Sequence, residues 1–446
     1  MEIFRRKIYD SLLEWKNNSH GKYALLIEGP RRVGKSTVVK EFASREYRSF
    51  ILIDFSEASE DIRELFNHIS DLDYFFLQLQ FRTGVSLHER ESLIVFDEVQ
   101  RFPQARQAIK HLVADGRYDY IETGSLISIK KNVENILIPS EEKKIQMHPM
   151  DFEEFLRAVG KETAFTMMKT FFQTKKPLGE AGLREGMRLF RLYMVIGGMP
   201  QAVSEYLESN NLESVDDVKR SIIDLYEDDF YKIDSSGALS LLFDNIPGEL
   251  STGSTRYNVS GVDSSRRPSD NPVLSKIAEL ISSRTVLACY HTNDPGTGFS
   301  LTEDLRKFKL YLADTGLFIT LAFKDKAFTD NLLYKGLMSD KLPVNLGYVY
   351  ENITAQMLSA KGDNLFYHTF YSKDSNHTYE IDFLLSRSNR ICPVEVKSSS
   401  YLTHTSLDRF YEKNHSRINT RYLVYPKDYR KDGDILCIPP FFVPFI

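Results

Sequence analysis

Along the first 130 residues, short apolar runs alternate with stretches of helical periodicity. The runs fall at residues 23–27, 49–55, 93–96 and 120–122, each too brief for a helix. Runs of that length suit strands buried on both faces, as in a parallel sheet covered by helices. The pattern therefore predicts an α/β fold with a parallel sheet over residues 1–150. Ahead of it, Ile3, Phe4, Ile8, Leu12 and Leu13 recur at helical spacing around Arg5, Arg6 and Lys7. With no small-residue cleavage site behind it, this segment reads as an amphipathic helix packed on the first domain rather than a targeting leader.

Beyond residue 150 the periods lengthen. Helices are predicted at 151–159 and 216–230, which makes 151–245 a helical lid. Residues 247–272 are rich in Gly, Ser, Thr and Asn, after which a helix at 273–281 precedes an apolar run at 285–290. Two readings of 246–340 stand side by side: a small helix-turn-helix with a wing, or a linker with a docking helix. A helix at 346–360 and strands at 378–385 and 391–396 then predict a second α/β unit over 341–446.

A chain of 446 residues has room for roughly two to four domains of about 100–200 residues each. Its 57 basic and 62 acidic residues leave a formal charge of −5, which excludes a protein that wraps nucleic acid by overall basicity, while residues 345–431 are locally basic. Cys289, Cys392 and Cys437 are distant and odd in number, so neither a disulfide framework nor a CxxC zinc site is expected, and a reducing cytoplasm is the expected location. No apolar run approaches the roughly 20 residues of a membrane-spanning helix, so no membrane partner is expected. The ten histidines form no HExxH pair, which argues against a zinc enzyme.

One segment carries specific chemistry. Gly29-Pro30-Arg31-Arg32-Val33-Gly34-Lys35-Ser36 fits GxxxxGK[ST], follows an apolar strand and opens a predicted helix at Thr37. Glycines at both ends let backbone N–H groups curl around phosphates, and the helix N-terminus favours negative charge. Lys35 can reach the terminal phosphates and the Ser36 hydroxyl can ligate magnesium. Gly29 to Thr37 are thus expected to bind ATP with Mg2+. The run from Leu93 to Phe96 ends in Asp97 and Glu98, two carboxylates where an open sheet presents its ligands. Asp97 suits the magnesium ion, and Glu98 suits the water that attacks the γ-phosphate. After the next strand come Thr123, Gly124 and Ser125; a polar side chain here, Ser125 foremost, can sense the γ-phosphate, or the segment is a turn that needs Gly and Ser. Asp54, at another strand end, reads as a turn cap.

These segments, with His148-Pro149-Met150-Asp151-Phe152-Glu153-Glu154-Phe155 and Gly197-Gly198-Met199-Pro200, resemble the prokaryotic AAA-type ATPases whose C-terminal part is a domain of unknown function related to PD-(D/E)XK nucleases. The resemblance spans nearly the whole chain. It implies an ATPase core, a helical lid carrying the last two signatures, a winged-helix segment and a restriction-endonuclease-like terminus. Some relatives carry a Gly-Arg pair shortly before the first of these signatures; here the stretch is Ile138-Pro139-Ser140-Glu141-Glu142, which leaves an arginine finger unplaced.

Independently of any family, Glu380-Ile381-Asp382 and Glu395-Val396-Lys397 have geometric content. A strand period of two puts Glu395 and Lys397 on one face. With the Asp382 strand alongside, Asp382 and Glu395 can hold a second divalent metal and Lys397 can orient water, the arrangement of phosphodiester hydrolysis. Glu351, on the preceding helix, resembles the additional acid of such nucleases. DNA or RNA is the partner this implies. The alternative is a nucleotide-controlled switch whose nuclease-like domain does not cut and docks another protein. Phe366, Tyr367, Phe370 and Tyr371 can stack on bases or simply fill a core, and nothing in the pattern sets an oligomeric state.

Overall fold

The computed structural model describes residues 3–19, 21–124, 140–257, 272–296, 298–328, 332–339, 346–371, 377–399 and 404–446. The chain divides into two compact units, residues 1–148 with 282–284, and residues 149–281 with 285–446.

The first unit is built on five parallel strands, β1 (Ala24–Glu28), β2 (Ser49–Asp54), β3 (Ser92–Asp97), β4 (Asp119–Gly124) and β5 (Glu142–Gln146), in the order β2-β3-β4-β1-β5. The four apolar runs are the four inner and flanking strands; β1, β3 and β4 are buried along their whole length. The fifth strand was not expected from the pattern. It reads Glu-Lys-Lys-Ile-Gln because it lies at the sheet edge, where charged side chains also discourage pairing with another chain. Against one face of the sheet, Ile51, Ile53, Ile94 and Phe96 join Phe75 and Leu79 of helix Leu72–Thr83 and Ile109 and Leu112 of helix Pro103–Asp115 in one apolar cluster. The latter helix buries Ala105, Ala108, Ile109, Leu112 and Val113, a stripe at three- and four-residue spacing, between Pro103 in its first turn and Gly116 in the left-handed region at its end. The N-terminal segment forms helix Ile8–Ser19, which buries Ile8, Leu12 and Trp15. Because all five strands run the same way, the loops after β1, β3 and β4 leave from one edge of the sheet.

In the second unit, helices Phe152–Ala158, Glu162–Thr174, Gly179–Ile196, Pro200–Ser209 and Leu212–Ile233 come first. Strands β6 (Val286–Thr292), β7 (Glu303–Leu312), β8 (Leu365–Tyr371) and β9 (Thr378–Ile381) form a sheet ordered β7-β6-β8-β9, and β10 (Phe383–Arg387), β11 (Arg390–Val396), β12 (Arg421–Val424), β13 (Arg430–Asp432) and β14 (Ile435–Ile438) a second, ordered β10-β11-β12-β14-β13. The β6–β7 hairpin pairs with β8 rather than standing free as a wing, so part of the region 246–340 shares a sheet with the C-terminal residues. Most of the Gly- and Ser-rich stretch, 258–271, lies outside the described residues. Glycines explain how this unit closes. A Cβ on Gly198 would lie 2.1 Å from the Met150 carbonyl oxygen, and one on Gly316 would lie 2.5 Å from that of Ile196. The two signatures of the lid therefore meet backbone to backbone: Met150 N–H donates to Gly198 O at 2.7 Å, and Gly198 N–H to the Asp314 carboxylate at 2.5 Å. Asp151 and Glu154 form a reciprocal capping box at the start of helix Phe152–Ala158. Both motifs do structural work in the described chain.

Candidate nucleotide site

The loop from Gly29 to Gly34 leaves β1 and enters helix Lys35–Glu46, with Gly34 as its N-cap at φ +93°. Gly29 is required by close approach, since a Cβ there would sit 2.3 Å from the Met147 carbonyl oxygen beyond β5. Pro30 and Val33 are buried, Arg31 half-buried, and Arg32 and Thr37 exposed; Arg32 itself lies in the left-handed region at φ +69°. The Lys35 ammonium is buried and donates to the carbonyls of Gly29 (3.0 Å) and Pro30 (2.9 Å). Burial lowers its pKa to about 8 against the opposing pull of Glu98 and Asp97.

The structure brings the second expected element to the first. Asp97, 4% exposed at the end of β3, accepts the Ser36 hydroxyl at 2.9 Å on Oδ1. Thr123, at the end of β4, donates its hydroxyl to the same oxygen and receives the Glu98 N–H at 3.4 Å. Glu98 is held at φ +52°, a left-handed conformation uncommon for a residue with a side chain, and its Oε2 accepts Gln100 Nε2 at 2.5 Å. Of the three residues after β4, Thr123 is thus tied to the carboxylates, while Ser125 lies outside the described residues. Thr123 and Gln100 were not singled out as site residues in the sequence; a hydroxyl immediately after a buried strand was the available signal for the first. Arg6 was read only as part of an amphipathic helix. It is 6% exposed and donates to the carbonyls of Val33 (2.8 Å) and His148 (2.6 Å), bracing the loop from outside. Asp54 accepts the Ser56 N–H at 2.8 Å, as a turn cap does. A hydroxyl and a carboxylate oxygen side by side are the donor set that suits magnesium, which prefers oxygen ligands and keeps several waters.

The C-terminal residues also converge. β10 pairs antiparallel with β11, Phe383 opposite Val394, which places Asp382 next to the Glu395 end of β11. The expected strand over 378–385 is interrupted at Asp382, whose Oδ2 accepts the Val396 N–H at 2.7 Å in place of a ladder bond. Lys397 lies 2.6 Å from Glu395 Oε1. Glu351 and Glu380 join from helix Gly347–Ala360 and from β9, and between them lies a residue the sequence reading did not choose. Lys309 of β7, 5% exposed, is 2.5 Å from Glu380 Oε1 and 3.4 Å from Glu351 Oε2, which also accepts the Tyr311 hydroxyl at 3.2 Å. Burial, reinforced by Glu351, pushes Asp382 well above the ordinary carboxylate range. Burial likewise raises Glu380 and Glu395 against the pull of Lys309 and Lys397 respectively. Among the described residues, no three His, Cys, Asp or Glu side chains are grouped so as to hold a metal ion. Of the aromatics, Phe366 and Phe370 pack in an apolar cluster with Phe410 and Leu407, whereas Tyr371 is exposed.

Residues 21–156 match the family described as an AAA domain, AAA_14. Residues 187–327 and 346–440 match two families described only as domains of unknown function, DUF8612 and DUF4143. The AAA match thus falls on the loop and the parallel sheet of the first unit. No curated protein sequence matches the chain. Among solved structures, a Walker-type ATPase of Pyrococcus abyssi is 16% identical, with 72% of this chain and 96% of that chain covered at a TM-score of 0.43. The CDC6P protein of Pyrobaculum aerophilum is 12% identical over 74% of this chain and 92% of that one, at a TM-score of 0.22. A signal-transduction ATPase with a tetratricopeptide repeat sensor from Pyrococcus horikoshii is 12% identical over 81% of this chain and half of that one, at 0.29. At such scores these likenesses add nothing to the fold already described. No helix among the described residues is long and apolar enough to cross a membrane.

Proposed function

We propose that this protein binds ATP with magnesium at the Gly29–Ser36 loop, hydrolyses it, and uses the nucleotide state to control a C-terminal module that acts on nucleic acid. The observation that carries the ATP reading is the single carboxylate oxygen of Asp97 receiving hydroxyls from Ser36 and Thr123, with Glu98 one residue on. Ser36 and Asp97 would hold magnesium, which would supply positive charge against the phosphate oxygens. Lys35 turns from the loop carbonyls to the terminal phosphates, a neighbour that favours its charged form. Glu98 accepts the proton of the attacking water, and the Gln100 amide fixes the direction of its carboxylate. Phosphate release by wild type, Lys35→Ala and Glu98→Gln tests this: both variants should lose turnover, and Glu98→Gln should keep its ATP affinity. Equal rates in all three would remove the hydrolytic reading.

For the C-terminal module, the proximity of Asp382, Glu395 and Lys397 supports metal-assisted chemistry on a phosphodiester, and Glu395 Oε2, buried with no hydrogen-bond partner, fits a cation ligand. One observation favours the second reading, a module that binds without cutting: the Lys309 ammonium already neutralises Glu380 and Glu351. Cleavage of duplex, single-stranded and branched DNA with magnesium or manganese separates them. Metal-dependent cutting lost in both Asp382→Ala and Lys397→Ala supports the first reading; no cutting by wild type supports the second.

A further inference from the structure

A cavity of about 290 Å³ opens in the second unit, apart from the carboxylate cluster of that unit, between the end of helix Glu162–Thr174 and the strands β12, β13 and β14. Lys175, Arg421 and Lys431 line it, against one acid, Asp434. Leu436 and the Tyr411 ring supply apolar wall. Arg421 is the unusual member. It is 7% exposed, its guanidinium lies 4.3 Å over the Tyr411 ring, and it donates once to Asp408 at 2.9 Å. Its Nε, buried, has no hydrogen-bond partner. A guanidinium carries five N–H donors, and the hydrogen bond to Asp408 uses only one of them.

We infer that this cavity binds the phosphate group of a small phosphomonoester. Three cations from three separate elements line one cavity against a single acid, a charge balance that suits a phosphate dianion, and the apolar wall accommodates the organic moiety that carries it. Volume decides between a small molecule and a polymer. The cavity lies at the lower end of the roughly 300–1,000 Å³ of small-molecule sites, so it admits a sugar phosphate or a mononucleotide and not a duplex backbone. Lys175 and Lys431 are exposed and supply the approach, whereas Arg421 supplies the directed donors. The site is separate from the ATP loop and does not rest on the function proposed for it.

Ribose 5-phosphate, which lacks the base and the polyphosphate tail, is the probe, titrated calorimetrically into the full-length protein at fixed salt with the ATP loop saturated by a non-hydrolysable ATP analogue and magnesium. Wild type should bind it, ribose should not, and Arg421→Met should weaken binding by about 10-fold or more. Because Arg421 is buried, the exposed double variant Lys175→Ala/Lys431→Ala provides a second measure, with an expected loss of about 5- to 10-fold. Absence of wild-type binding at millimolar concentrations, or affinity unchanged in the double variant or in a folded Arg421→Met, would overturn the assignment. So would binding of a 5′-phosphorylated oligonucleotide through Arg421 without binding of ribose 5-phosphate.

Discussion

Replacing Glu122 by glutamine should stabilise the first unit, and the gain should grow with pH. Glu122 sits on β4 opposite Leu26 of β1, fully buried, with neither carboxylate oxygen in a hydrogen bond. Burial, then the neighbouring Glu142 carboxylate, pushes its pKa well above the ordinary range; Arg106 and Lys144 pull the other way. Arg106 is already committed to Glu142 through two bonds of 2.9 and 3.0 Å, and the Lys144 ammonium is 3.8 Å from the same acid. Folded Glu122 thus keeps its proton and can donate it to Glu142, whereas the unfolded chain releases it above about pH 4.3. A folded pKa raised above the unfolded one means stability fully present at low pH and lost as pH rises towards the folded pKa. Over that window the loss is about 1.4 kcal/mol per pH unit. Glutamine keeps the shape and the donor without titrating, so the variant loses nothing there. The single tryptophan, Trp15, is buried in helix Ile8–Ser19 of the same unit, so its emission during urea unfolding reports this unit in the intact chain. Wild type and Glu122→Gln should diverge as the pH rises above about 5, other titrating groups cancelling in the difference. A gap independent of pH, or a variant less stable throughout, would refute a protonated Glu122.

Three further outcomes follow from the geometry. Since burial sets Lys35 at about 8, ATP affinity should be flat below pH 7 and fall about 10-fold per unit above pH 8, with proton uptake on binding measured by calorimetry in buffers of different ionisation enthalpy. Thr123→Val removes the hydroxyl shared by Asp97 and the Glu98 N–H while keeping its volume; kcat should drop about 10- to 100-fold with ATP affinity within about 3-fold, in a steady-state phosphate-release assay. Gly198→Ala drives a Cβ into the Met150 carbonyl, which cannot retreat without breaking its contacts, so the second unit should lose on the order of 3 kcal/mol and melt several degrees lower by circular dichroism.

The Gly29–Ser36 loop was legible because the residues proposed to meet phosphate are contiguous. Gly29, Gly34, Lys35 and Ser36 act through one backbone turn, so spacing along the chain equals spacing in space, and the apolar run before Asp97 fixed that carboxylate at a strand end. What escaped depends on contacts that sequence order hides. Arg6 reaches carbonyls 27 and 142 residues away. Thr123 meets Asp97 through the sheet neighbour β3, a contact between residues 26 positions apart that spacing along the chain does not show. The strand β5 was missed because edge strands are held by ladder bonds more than by apolar side chains. Gly197-Gly198 and Asp314-Thr315-Gly316 lie far apart in the chain, so the close approach that demands glycine could not be read from either.

The C-terminal carboxylates illustrate the same limit in charge rather than distance. Lys397 pairs with Glu395 two residues away, but the cation that pairs with Glu380 and Glu351 does not sit nearby in the chain: Lys309 precedes Glu380 by 71 residues. Its ammonium is desolvated, and its surrounding acids, Glu351 first, raise its pKa well above the usual value despite burial, so it stays charged at any ordinary pH. Asp382 Oδ2 is engaged by the Val396 N–H and Glu395 Oε1 by Lys397, which leaves Glu395 Oε2 and Glu380 Oε2 as buried oxygens without a hydrogen bond. A divalent ion drawn to Glu380 Oε2 brings its charge towards the Lys309 ammonium paired with the same carboxylate, and like charges repel strongly in a buried site. Metal binding and the Lys309 pairing are therefore opposed: Lys309→Met should bind manganese more tightly than wild type by calorimetric titration, and equal or weaker binding by the folded variant would refute the opposition.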